Sequence, residues 1–104
     1  MIVQKSLLLK LKEFGLNIYE SKLWTALLSM GVATAGELSD VANVPRSRTY
    51  DVLESLEKKG FIIMKIGKPI KYLAVPPGEV IERVKKKVVI EAEESQKMLE
   101  ELRE

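Results

Sequence analysis

The sequence predicts a mainly α-helical fold that contains one small β-hairpin. Apolar residues recur at helical spacing along most of the chain, and glycines stand where these patterns stop. Only the stretch after Gly60 differs, because "FIIMKI" and "IKYLAV" are short runs rich in β-branched and aromatic residues. At 104 residues, 46% hydrophobic and 31% charged, the chain has the composition of one soluble globular domain with room for an additional long helix.

Two helices are predicted in the N-terminal third. The first ends at Gly15 in a left-handed cap. The second begins after Asn17, with Glu20 three residues later in the arrangement of a capping box, and ends at Gly31. Their apolar faces consist of Leu7, Leu8, Leu11 and Phe14 in the first helix and of Leu23, Trp24, Leu27 and Leu28 in the second.

A short third helix and a longer fourth helix follow. Thr34 and Glu37 repeat the capping-box pattern at the start of the third helix. Pro45 separates the two helices, because a proline disfavours helical conformation in the residue before it and is accepted in a first helical turn. The fourth helix, about residues 45–59, buries Thr49, Val52, Leu53 and Leu56. Two helices joined by a tight turn form a helix-turn-helix.

The hairpin, about residues 61–75, comes directly after the second helix of this pair. Three helices, a helix-turn-helix and a hairpin in that order are typical of a winged helix, which we expect over residues 1–77. In this architecture the recognition helix enters the major groove of DNA, and the wing contacts the backbone or the minor groove nearby. The sequence therefore predicts a double-stranded DNA-binding protein.

A final helix of about 25 residues is predicted within residues 78–104. It would extend about 38 Å at 1.5 Å per residue, beyond a domain of this size, so we expect its far half to pair with a second copy in a coiled coil. Parallel and antiparallel pairing both remain open, as does a helix that folds back on its own domain. The predicted dimerisation stripe comprises Ile81, Val84, Val88, Ala92, Ser95, Leu99 and Leu102.

The outward side of the fourth helix supplies the predicted base contacts. A helical wheel places Ser47, Arg48 and Asp51 opposite the buried residues, together with Glu54, Ser55 and Lys58. Arg48 is the main candidate, because a guanidinium can bond O6 and N7 of guanine together. Ser47 could bond a phosphate or a base edge, and Asp51 could accept from a cytosine amino group or position Arg48.

Other residues are predicted to contact the DNA backbone. Arg46 lies at the flank of the wheel, where phosphates would be, and Tyr50 is expected to pack its ring against the helix-turn-helix core with its hydroxyl free. Lys58 and Lys59 at the helix C-terminus are interpreted as structural. The complete set of predicted DNA-binding residues is Thr34, Arg46, Ser47, Arg48, Tyr50, Asp51, Lys65, Lys68 and Lys71.

The composition limits which classes of function the sequence predicts. Residues 43–72 carry seven Lys and Arg against three Asp and Glu, which is typical of a nucleic-acid interface. The chain has no cysteine and no histidine, and we expect neither an enzyme, a metal site nor a cofactor. It has no apolar run long enough to span a bilayer and no secretory signal, so we expect a cytoplasmic location.

Four motifs resemble the TrmB family of archaeal transcriptional regulators. They are "FGL-x-x-YE", "ATAGEL", "VPRSRTYDVLESLEKKG" and "YLAVPP", and the similarity covers about residues 11–77. The resemblance implies a dimeric winged-helix DNA-binding protein whose helix after the wing pairs in a coiled coil. Family members typically continue into a C-terminal sugar-binding domain, so this chain is expected to be a short member, and its effector stays unidentified.

The prediction is a sequence-specific, homodimeric transcriptional regulator. Two alternatives remain open at this point. Winged helices also serve as protein-interaction modules, so the chain could be an adaptor, or it could bind DNA without sequence preference as an architectural protein.

Overall fold

The computed structural model describes residues 4–103, which form five helices and three short strands. Their order along the chain is α1 (Lys5–Glu13), α2 (Ile18–Met30), β1 (Val32–Ala33), α3 (Ala35–Ala42), α4 (Arg46–Lys58), β2 (Ile62–Lys65), β3 (Lys71–Ala74) and α5 (Pro77–Arg103). None of the helices in this part of the chain is long and apolar enough to cross a membrane.

Helices α1 to α4 pack around one core and confirm the predicted helix-turn-helix. Both capping boxes form, with Asn17 capping α2 and Thr34 capping α3. Gly15 and Gly31 adopt φ values of +89° and +83° at the ends of α1 and α2, a conformation that a side chain would disfavour. The core is mostly leucine, and its most deeply buried members include Leu16, Leu23, Leu27, Leu38, Leu53 and Leu56.

The wing is part of a three-stranded antiparallel sheet in the order β1-β3-β2, and not an isolated hairpin. In β1, which the sequence analysis missed, Val32 pairs with Leu73 and Ala33 pairs with Tyr72. A two-residue strand has no recognisable alternation, so only the partner strand reveals it. Because β1 lies between α2 and α3, its pairing fixes the wing to the helix-turn-helix.

Helix α5 leaves the domain after its first two turns. Val80 is 1% exposed in the core, a residue that the predicted stripe omitted. Val84 is partly buried against the core of its own domain, so it is not wholly available to a second copy. From Lys85 to Arg103 every residue is exposed, and the molecule measures 59 × 30 × 25 Å. The expectation that this domain cannot cover the far half of the helix is confirmed.

Candidate nucleic-acid interface

The start of α4 is open to an anion. Pro45 occupies the N-cap position, no side chain caps the helix, and its first turn contains no acidic residue. Helices α2 and α3, by contrast, are closed by capping boxes. The first backbone N–H groups of a helix lack intrahelical partners and carry the positive end of its dipole, so an uncapped start favours a phosphate.

Arg46 and Arg48 diverge from this start towards different helices. Arg46 lies across α3, with its Nη2 atom 3.5 Å from Oδ2 of Asp40 and its guanidinium beside Gly36. The guanidinium of Arg48 lies 5.6 Å from the centre of the Tyr19 ring in α2, within the range of a cation–π contact. Both arginines are exposed, and they flank α4 on opposite sides.

Between the arginines, the outward line of α4 is polar and increasingly acidic. Ser47 and Asp51 are exposed, and Glu54 follows one turn later in an ion pair with Lys58 at 3.1 Å. Both arginines therefore lie at the N-terminal end of the helix and the carboxylates lie further along it. Phosphates would be attracted to the first turn and repelled by the middle of the helix, which favours an approach through the N-terminal end.

The structure corrects the predicted role of Tyr50. Its ring is 67% exposed and does not pack into the helix-turn-helix core. The buried aromatic residue on this side is Tyr72 of β3, and burial raises the pKa of its hydroxyl, with smaller contributions from the nearby Tyr50 and Glu57. Tyr50 is therefore mostly open to solvent.

A buried carboxylate holds α4 against α2, and the sequence analysis missed this role. Glu20 accepts hydrogen bonds from Ser55 Oγ at 2.7 Å, Lys59 Nζ at 2.9 Å and the backbone N–H of Asn17 at 2.9 Å. Lys59 also donates to the carbonyl oxygen of Gly15 at 2.7 Å. Ser55 is therefore half-buried and not part of the outward face, and Lys59 is structural through these bonds, beyond any interaction with the helix dipole.

The pKa of Glu20 reflects this arrangement. Burial alone would raise the pKa, but the hydrogen bonds from Asn17, Lys59 and Ser55 and the charge of Lys59 together lower it below its ordinary value of 4.5. The side chain is only 1% exposed. Glu20 is consequently ionised near neutral pH and fixes the orientation of the recognition helix.

The wing adds three exposed cations. Lys65 and Lys71 face each other across β2 and β3, a pairing of like charges that costs free energy unless an anion is near. Lys68 is exposed in the turn between the two strands. The pKa of Glu37 is lowered by its hydrogen bonds with Thr34 and, more weakly, by the charge of Lys71.

Thr34 has a defined structural role in addition to its predicted contact. Its hydroxyl oxygen accepts the backbone N–H of Glu37 at 3.2 Å, and its own N–H donates to the Glu37 carboxylate at 2.9 Å. Within residues 4–103 no group of three or more His, Cys, Asp or Glu residues is arranged to hold a metal ion.

The helix-turn-helix, the three-stranded wing and the uncapped basic helix start define a winged-helix protein. The model of the family described as "Sugar-specific transcriptional regulator TrmB" matches residues 11–78. The chain belongs to the TrmB family, as the four sequence motifs indicated.

Named relatives agree with this assignment. TrmBL2 of Thermococcus kodakarensis, described as a DNA-binding HTH-type transcriptional repressor, is 45% identical over 95 residues, which are 88% of this chain and 36% of that protein. TrmBL1 of Pyrococcus furiosus, described as a sugar-sensing regulator, is 35% identical over 101 residues, covering 97% of this chain and 30% of that protein. The chain spans about a third of the length of these curated relatives.

A solved structure of TrmBL2 has the same fold. It superimposes with a TM-score of 0.77 at 44% identity and covers 93% of this chain and 40% of the other. That protein is described as an archaeal chromatin protein with a novel mode of DNA binding.

Proposed function

We propose that this protein is a sequence-specific transcriptional regulator that binds double-stranded DNA as a homodimer. The observation that carries the proposal is the uncapped start of α4, where two exposed arginines diverge around open backbone N–H groups. A helix start favours anions, so two cations there are unfavourable until a polyanion arrives. The protein would act in the cytoplasm, where its DNA is.

The contacts divide by position along and around α4. Ser47, Arg48 and Asp51 would contact base edges as the N-terminal end enters the major groove. Arg48 must leave the Tyr19 ring to do so, which the exposure of the arginine permits. The residues that flank these base contacts would bind the phosphate backbone. They are Thr34, Arg46, Tyr50, Lys65, Lys68 and Lys71.

The exposed apolar stripe of α5 supports the homodimer. An isolated helix of this composition gains little from exposed leucines, whereas a second copy would bury them. Two copies would present two recognition helices, so the preferred site should be roughly palindromic.

A second candidate function is sequence-independent, architectural binding of DNA. It is favoured by the likeness to TrmBL2, whose solved structure is described as that of a chromatin protein. The acidic middle of α4 argues for the first candidate, sequence-specific binding. Carboxylates near DNA weaken non-specific electrostatic attraction, and they contribute to binding only where they accept hydrogen bonds from particular bases.

Selection of bound fragments from a random duplex library by the purified chain tests the proposal. We expect enrichment of a palindrome with half-sites about 10 bp or a multiple of that apart. Retention of DNA without enrichment would establish the architectural function instead. No retention even at low salt would contradict both and leave the protein-interaction adaptor.

A further inference from the structure

The exposed part of α5 has halves of opposite charge. Residues 79–90 carry four Lys and Arg against two Glu, whereas residues 91–103 carry two Lys and Arg against five Glu. The apolar stripe continues through both halves, and its far end is well exposed, with Leu99 at 64% and Leu102 at 82%. A partner for this helix must therefore have an apolar face, and that face must be basic at one end and acidic at the other.

A basic groove lies beside the first turns of α5. It has a volume of about 410 Å³ and lies between the end of α1, the end of α4 and the start of α5. Its apolar wall includes Phe14, Phe61 and Val84, its charged wall includes Arg83 and Lys87, and no carboxylate is among the residues that line it. The near end of α5 thus offers an apolar recess with a cationic rim, in which Arg83 donates to the carbonyl oxygen of Gly60 at 2.6 Å and forms an exposed ion pair with Glu79 at 3.2 Å.

The far end of α5 has the complementary character. Leu99 and Leu102 project from it, and Glu94 and Glu101 are exposed along the same end. An acidic helix end with exposed leucines matches a basic groove with an apolar wall. The two features lie at opposite ends of one helix, so a single chain cannot bring them together.

We infer that two copies pair through antiparallel α5 helices, with the far end of each helix seated at the groove of the other copy. This inference rests on the homodimer of the proposed function and adds its orientation. A parallel pair would place the cations of residues 83–87 beside the same cations of the second copy, and the carboxylates of residues 91–101 beside each other. Opposite charges at close range attract by about 1 kcal/mol or less per exposed pair, and like charges repel similarly, so several pairs together decide the orientation.

The stripe permits this register. If Ile81 lies opposite Leu102 of the second copy, then Val84 lies opposite Leu99 and Val88 opposite Ser95, because the spacings of the stripe are nearly the same in either direction. Arg83 then falls close to Glu101 of the second copy. The remaining exposed part of Val84 would be covered by the partner's Leu99, while its buried part stays with its own core.

The register also sets the separation of the two winged helices. The starts of the two α5 helices, at residue 79, would be about 38 Å apart along the pair at 1.5 Å per residue. One turn of B-DNA is about 34–36 Å, so the two domains would be spaced to meet successive major grooves on one side of a duplex. Antiparallel pairing and dimeric DNA binding are therefore geometrically compatible.

Distance measurements between spin labels test the orientation in the full chain. The chain has no cysteine, so Glu93→Cys and Glu100→Cys each introduce a unique labelling site. Both glutamates are exposed on the side of α5 away from the stripe, which makes each a matched control for the other. In the antiparallel register, label pairs are separated along the axis by about 5 Å at position 93 and about 26 Å at position 100.

We expect a measured distance about 10 Å longer at position 100 than at position 93, after allowing for the width of the helix pair. Equal distances at the two positions would establish a parallel pair, which overturns this inference and leaves the homodimer in place. No dipolar coupling at either position would mean a monomer, which overturns the inference and the dimeric part of the proposed function together.

Discussion

At the residue scale, α4 presents two arginines whose surroundings differ. Arg46 is drawn towards α3 by Asp40, whereas Arg48 rests on an aromatic ring. Both arginines are exposed and both contacts are weak, so either side chain can exchange its contact for DNA at little cost. Their separation by α4 means that the two arginines cannot act as one basic patch.

Replacing Arg48 and Lys68 separately tests the division between base and backbone contacts. Arg48→Ala should lose about 1–3 kcal/mol of discrimination between the selected site and a scrambled duplex. Lys68→Ala should weaken binding to both duplexes by a similar factor. The number of ions released on binding, obtained from the salt dependence of the affinity, should fall by about one. Fluorescence anisotropy with the two duplexes measures both effects. Indistinguishable behaviour of the two variants would refute this division.

The buried Glu20 gives a prediction about stability and pH. Glu20→Gln should lower the free energy of unfolding at pH 7 by about 1–3 kcal/mol, because a charged acceptor of three hydrogen bonds is lost. The pKa of Glu20 is lowered in the folded protein, so its stabilising contribution is present above its ordinary pKa of 4.5 and is lost as the pH falls through the lowered value. The difference between wild type and variant should therefore shrink at pH 3.

Denaturant unfolding at the two pH values measures this difference. Glu54→Gln is the matched control, since its ion pair with Lys58 is exposed on both sides and should contribute no more than about 1 kcal/mol at either pH. An undiminished Glu20→Gln effect at pH 3 would show that the ionised carboxylate is not the source of the stability.

At the element scale, local chemistry predicted most of the fold. Capping residues, glycines and Pro45 fix the ends of α1 to α4 because they act within a few residues of themselves. The elements that were missed depend on distant partners. Strand β1 exists only through its pairing with β3, and the role of Val80 depends on a core built by earlier helices. No local pattern contains that information.

The stripe on α5 can be tested with one substitution and its matched control. Leu99→Glu places a charge in the proposed seam and should shift the protein from dimer to monomer in sedimentation velocity. Val89 is similarly exposed but lies off the stripe, so Val89→Glu should leave the dimer intact. Both positions lie beyond the domain core, and thermal unfolding of the winged helix should change little in either variant. Loss of the dimer in both variants, or in neither, would contradict the assigned seam.

At the scale of the whole molecule, the residues of the candidate interface could be predicted from the sequence, but their orientations could not. The arginines and wing lysines could be found because charge and helical position are properties of the sequence alone. The inward position of Ser55, the exposure of Tyr50 and the contact of Arg48 with Tyr19 all depend on how α4 packs against α2 and the sheet. A helical wheel describes one helix and does not include the elements that pack against it.

The salt dependence of duplex affinity tests whether the start of α4 and the wing form a DNA interface. The wild-type chain should bind duplex DNA at about 50 mM salt and lose affinity steeply by about 200 mM, with a log–log slope of about −0.9 for each phosphate neutralised. Arg46→Ala and Lys65→Ala should each make that slope shallower by about one phosphate. Absence of binding at low salt, or an affinity that does not change with salt, would contradict a DNA interface at the start of α4 and the wing.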